Sequence, residues 1–108
     1  MTGQNVSAAL GILGLSRKAG RLICGTPLVC KALGAKRPPS LVVVSAHASD
    51  NTKKKLRDKC AYYKVRLYEF GAETSEMSRA LGGHAEVASC AILDEGLAGL
   101  FLSKVENN

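Results

Sequence analysis

Leu41-Val-Val-Val44 is the segment that most narrows what this chain can become. Four consecutive apolar residues, three of them β-branched, leave no polar position for a solvent-facing side. The run therefore reads as a strand covered on both faces. Pro38-Pro39 just before it holds the backbone extended. Covering both faces of a strand requires helices above and below the sheet, so the flanking sequence must supply them.

It does. Val6, Leu10, Leu13 and Arg17 fall at i, i+4, i+7 and i+11, one face of a helix that Asn5 or Ser7 can cap and Gly20 can stop. Arg21 to Cys24 reads as a short strand. Gly25-Thr26-Pro27 then turns into a helix, with Thr26 expected as N-cap and Pro27 as first helical residue, running to about Leu33 and ended by Gly34. After the Leu41–Val44 run, Ser49 or Asp50 caps a third helix whose expected inner face is Leu56, Cys60 and Tyr63. Val65 to Phe70 reads as a strand, and Thr74 or Ser75 starts a short helix through Met77 and Leu81. Gly82-Gly83-His84 is a loop, and Val87 to Leu93 a further buried strand. Asp94 or Glu95 opens a last helix with Leu97, Leu100 and Phe101 inward. The order αβαβαβαβα predicts an α/β fold, a three-layer α/β/α sandwich around a small mixed central sheet. With 108 residues and no linker or repeat, one domain over 1–108 is expected.

The charge is unevenly distributed. The net charge is +6, yet residues 1–49 hold six cations (Arg17, Lys18, Arg21, Lys31, Lys36, Arg37) and no acid. From Asp50 onward nine cations meet nine acids. The whole surplus lies in the first half, and such a one-sided field favours a polyanionic partner. Lys53, Lys54, Lys55, Arg57 and Lys59 stand among Asp50 and Asp58 and read as a solvated helix face.

Several function classes lose support. No apolar stretch reaches the ~20 residues of a membrane span. Met1 to Gly11 lacks a basic n-region and carries Gln4, Asn5 and Ser7, so a secretory signal is not expected and the cytoplasm is the expected compartment. Cys24, Cys30, Cys60 and Cys90 show no CxxC spacing and lie in apolar runs, as reduced, buried thiols do; no metal or cofactor is expected. Five residues separate Gly14 from Gly20 where the phosphate-loop pattern needs four, and Arg21-Leu22 follows, so that pattern fails. Neither GxSxG nor HExxH occurs, and an enzyme is not expected.

Leu13-Gly-Leu-Ser-Arg-Lys-Ala-Gly-Arg-Leu-Ile-Cys-Gly-Thr26, followed by Lys31-Ala-Leu33 and the Leu41–Val44 run, resembles the kink-turn RNA-binding ribosomal protein superfamily. This is the L-seven-Ae-like and L-thirty-e-like group, with its short bacterial members. The similarity continues through Asp58-Lys-Cys-Ala-Tyr-Tyr-Lys-Val65 and Met77-Ser-Arg-Ala-Leu-Gly82 to Ala88-Ser-Cys-Ala-Ile92, nearly the whole chain in order. The resemblance implies a non-catalytic, ribosomal or ribosome-associated protein that holds structured RNA of the kink-turn type, with ribosomal RNA and ribosomal proteins as partners. In that group the second helix points its N-terminus into the bend of the RNA, and a late loop covers an extruded nucleotide.

The one-sided charge makes Arg17, Lys18 and Arg21 candidate phosphate contacts. Carried onto this sequence, the resemblance implies RNA-binding residues at Gly25, Thr26, Pro27, Leu28 and Lys31, and in the late loop, Gly82 to Glu86, at Gly83, His84 and Ala85. Gly25 would let backbone approach RNA, and Lys31 would reach guanines or nearby phosphates. Two positions depart from the group's pattern. Pro27 and Leu28 stand where a polar, base-reading pair is usual, and neither can make a base-edge hydrogen bond through its side chain. The alternative is thus a protein-interaction module of the same fold without base-specific readout.

Overall fold

The computed structural model describes residues 5–83 and 86–106. In chain order its elements are α1 (Val6–Lys18), β1 (Leu22–Cys24), α2 (Thr26–Leu33), β2 (Leu41–Ser45), α3 (Asp50–Tyr63), β3 (Leu67–Phe70), α4 (Thr74–Ala80), β4 (Ser89–Ile92) and α5 (Glu95–Val105). The four strands form one mixed sheet in the order β1-β4-β2-β3, parallel only between β2 and β3.

Leu41 to Val44 are all fully buried, and successive side chains divide between two cores. Leu41 and Val43 pack with Leu13, Met77 and Phe101 under α1, α4 and α5. Val42 and Val44 pack with Val29, Leu33 and Leu56 under α2 and α3. The three-layer sandwich and its mixed sheet match the expectation. Local chemistry agrees at three helix starts. Asn5 accepts from the Ala8 N–H at 3.2 Å, Ser49 from the Thr52 N–H at 3.2 Å and Asp94 from the Leu97 N–H at 2.9 Å. The start of α4 uses a reciprocal capping box between Glu73 and Glu76.

Four expectations need correction. β3 begins at Leu67, because Lys64 adopts the left-handed conformation (φ 59°) and the Val65 N–H is taken by the Cys60 carbonyl at 2.9 Å in closing α3. β4 is shorter than Val87–Leu93, spanning Ser89–Ile92. Tyr63 is exposed rather than inward; it lies on the last turn of α3 and meets Tyr62 edge-on with ring centroids 4.9 Å apart. On α5 the buried stripe is Ala98, Phe101 and Val105, with Leu97 half-buried and Leu100 exposed.

Candidate nucleic-acid interface

The start of α2 is built by a glycine. Gly25 donates its N–H to the Ser89 carbonyl at 2.9 Å, extending the β1–β4 pairing by one residue, and then turns with φ 95° and ψ 136°. A side chain would strain that backbone. Gly25 is the N-cap, Thr26 the first helical residue and Pro27 the second, so the expected Thr26 cap is wrong by one position. The Thr26 hydroxyl is used elsewhere, 2.7 Å from the Ser89 hydroxyl. No side chain caps α2. Val29 is the first residue to close a helical bond, to Gly25 O at 3.0 Å. The N–H groups of Thr26 and Leu28 are therefore directed out of the helix start, where they favour anions.

Two clefts flank this point. One, of about 300 Å³, is lined by Arg17, Cys24, Gly25, Gly83, Glu86 and Val87 among others. It joins the end of α1, the turn into α2 and the late loop, so three implied RNA contacts from distant parts of the sequence meet there. Arg17 lies across Gly82, one guanidinium nitrogen 3.2 Å from where a Cβ at that residue would stand. Burial pushes the Cys24 thiol up from its ordinary value, and the Arg17 guanidinium partly opposes that. The second cleft, of about 410 Å³, places Thr26 beside Asn51, Thr52, Lys54, Lys55 and Asp58 of α3.

The chain matches the model of the ribosomal protein L7Ae/L30e/S12e/Gadd45 family over residues 7–101. It belongs to that family. Among curated relatives it is 36% identical to the RNA-binding protein YlxQ of Bacillus subtilis over 95 residues, 88% of this chain and 92% of the relative. It is 35% identical to the protein of the same name from Enterococcus faecium, covering 87% of each. A solved structure of a protein of unknown function from Bacillus halodurans C superposes with TM-score 0.74 at 33% identity, over 86% of this chain and 95% of that one. The Giardia lamblia 15.5kD RNA binding protein superposes with TM-score 0.75 over 98% of this chain and 92% of its own. At 18% identity, that last likeness is one of fold.

In this member of the L7Ae/L30e/S12e/Gadd45 family the remaining candidate residues are dispersed. Lys18 borders a groove between α1 and α4. Arg21 is exposed ahead of β1, and its carbonyl accepts from Leu93 N–H at 2.9 Å. Pro27 and Leu28 are exposed, Leu28 by 57%, and Leu28 shares a third groove with Lys31. His84 and Ala85 lie outside the described residues. Among the described residues, none of Arg17, Lys18, Arg21, Lys31, Lys36 and Arg37 has a carboxylate within ion-pair distance. Lys53, Lys54, Arg57 and Arg66 all do, pairing with Asp50, Asp58, Glu69 and Glu106. The residues that the sequence reading set aside are those of α3 beside Thr26. Their signal was available: Asn51, Lys54 or Lys55, and Asp58 recur at helical spacing on one face.

Among the described residues no group of three His, Cys, Asp or Glu side chains gathers where it could hold a metal ion, and no helix is long and apolar enough to cross a membrane.

Proposed function

We propose that this protein is a non-catalytic RNA-binding protein that holds structured RNA against the start of α2. The observation that carries the reading is the convergence on one cleft, which Glu86 also lines, of Arg17, without an ion pair among the described residues, the uncapped turn at Gly25 and the late loop at Gly83. Arginine beside free backbone N–H groups suits phosphate, and an open cleft suits the splayed backbone of a bend or internal loop. Membership of a ribosomal-protein family and similarity to the RNA-binding YlxQ relatives support it. The finer reading is kink-turn RNA in a cytoplasmic, ribosome-associated setting, with ribosomal RNA and neighbouring ribosomal proteins as partners and residues 1–108 acting as one unit.

With Pro27 and Leu28 in place of polar readers, shape and phosphate carry recognition. A kink-turn RNA and a straight duplex titrated at two salt concentrations test this, against wild type and Lys31→Ala. The kink-turn binds more tightly, affinity falls steeply with salt, and Lys31→Ala lowers both affinity and salt slope. Equal affinity for the duplex with no loss in the variant sinks the kink-turn reading.

A further inference from the structure

The third groove, of about 380 Å³, lies away from the Arg17 cleft. Its walls are Ile23 of β1, Leu28 and Ala32 of α2, and Leu93 just after β4, with Lys31 and Arg37 beside them. Leu28 is 57% and Leu93 36% exposed, a cost in apolar hydration that nothing in the described fold offsets. No lining side chain is aromatic, so the guanidinium of Arg37 is the one lining group on which an RNA base could stack.

A protein segment meets what the groove offers. β1 is one of the two edge strands of the sheet, opposite β3. Leu93 N–H donates to Arg21 O and Gly25 N–H to Ser89 O, each at 2.9 Å. Alternation along an antiparallel pair then turns the N–H and C=O groups of Leu22 and Cys24 away from β4, toward that open edge. Ile23 and Leu93 fall on the α2 side of the sheet with Ala91. The charged side chains of the groove, Lys31 and Arg37, are cations with no carboxylate partner among the described residues.

We propose that this groove docks an extended acidic segment of a partner protein, which pairs with the β1 edge, seats aliphatic side chains between Ile23, Leu28 and Leu93, and sets carboxylates against Lys31 and Arg37. Strand addition supplies main-chain hydrogen bonds, the aliphatic wall gives affinity, and the cations select acidic sequences. The groove shares no lining residue with the Arg17 cleft, but it includes Leu28 and Lys31 of the implied RNA-binding set, so peptide and RNA binding are measured separately.

The test uses the full chain without RNA and a ten-residue peptide with leucines at alternate central positions and aspartate or glutamate at both ends. Saturable binding below about 1 mM is expected, with amide shifts at Leu22, Cys24 and Leu93. A lysine-ended version and an alanine-for-leucine version each bind at least about tenfold more weakly, as does the acidic peptide to Leu93→Ser. Ala35→Glu, an exposed change in the same groove, serves if Leu93→Ser does not fold. RNA affinity of Leu93→Ser stays within about twofold of wild type. Equal binding of the three peptides, no saturation, or a loss of RNA affinity in Leu93→Ser as large as that of the peptide overturns the proposal; the last outcome assigns the groove to RNA.

Discussion

The two clefts beside the start of α2 are neighbours in sequence and differ in how their cations are held: Arg17 lines the first together with Glu86 but forms no ion pair with it, and Lys54 in the second is paired with Asp58 beside Lys55. Gly25 opens onto one and Thr26 onto the other. In the first, an arginine with no carboxylate partner among the described residues lies across Gly82. In the second, Lys54 is held by Asp58 at 2.9 Å, one turn further along the same helix. A count of lysines along the chain ranks α3 as the richer basic surface; among the described residues, pairing engages Lys53, Lys54 and Arg57 of that helix and leaves Lys55 and Lys59. A cation without a partner offers its full charge to phosphate, whereas a paired one must first give up a contact worth a few tenths of a kcal/mol.

Charge reversal on each side is the strongest way to break this contrast. Arg17→Glu is expected to lower RNA affinity by about 100-fold at low salt, through loss of phosphate contacts and added repulsion. Lys54→Glu is expected to change it by about threefold, because Asp58 already cancels much of that charge. Filter binding or fluorescence anisotropy at two salt concentrations reads both, and equal losses would show that pairing does not rank these surfaces.

Stability sharpens the contrast at adjacent residues. Gly25→Ala meets no atom within 4 Å, so its cost comes from the backbone at φ 95° alone, about 1–3 kcal/mol. Thr26→Val leaves the backbone unstrained and removes the hydroxyl pair with buried Ser89, at about 1 kcal/mol. Urea melts of the two variants should keep that order. A Gly25→Ala protein as stable as wild type would mean that the turn relaxes, and that a glycine there is needed for close approach rather than for conformation.

The legibility of these features follows their range. The Leu41–Val44 run announced a doubly covered strand because its demand is local, and the caps at Asn5, Ser49 and Asp94 were readable for the same reason. The inner face of α5 was not. Leu97, Leu100 and Phe101 are the larger apolar side chains, yet Ala98 turns inward with Phe101 and Val105, a choice set by the packing partner rather than by hydropathy. Thr26 does not cap the helix because Ser89, 63 residues away, engages its hydroxyl. The joining of Arg17 to Gly83, and of Thr26 to Lys55, depends on which helices share a sheet face. Only the assembled topology decides that.

The smallest expected effect reads the Arg17 field directly. Burial raises the Cys24 thiol and Arg17 lowers it in part, so Arg17→Ala should raise it further. The thiolate is the reactive form, and alkylation of Cys24 followed from pH 7.5 to 10 should therefore show a midpoint at higher pH in the variant. Arg57→Ala, which removes the ion pair with Glu69 on β3, should leave that midpoint where it is in wild type. Loss of the long arginine side chain also uncovers the cleft, which by itself speeds alkylation at every pH without moving the midpoint. The two contributions separate in the full profile. A midpoint that stays fixed while rates rise would mean that Arg17 acts on this cleft as a cover, and the electrostatic contrast with the α3 side would fail at its most local point.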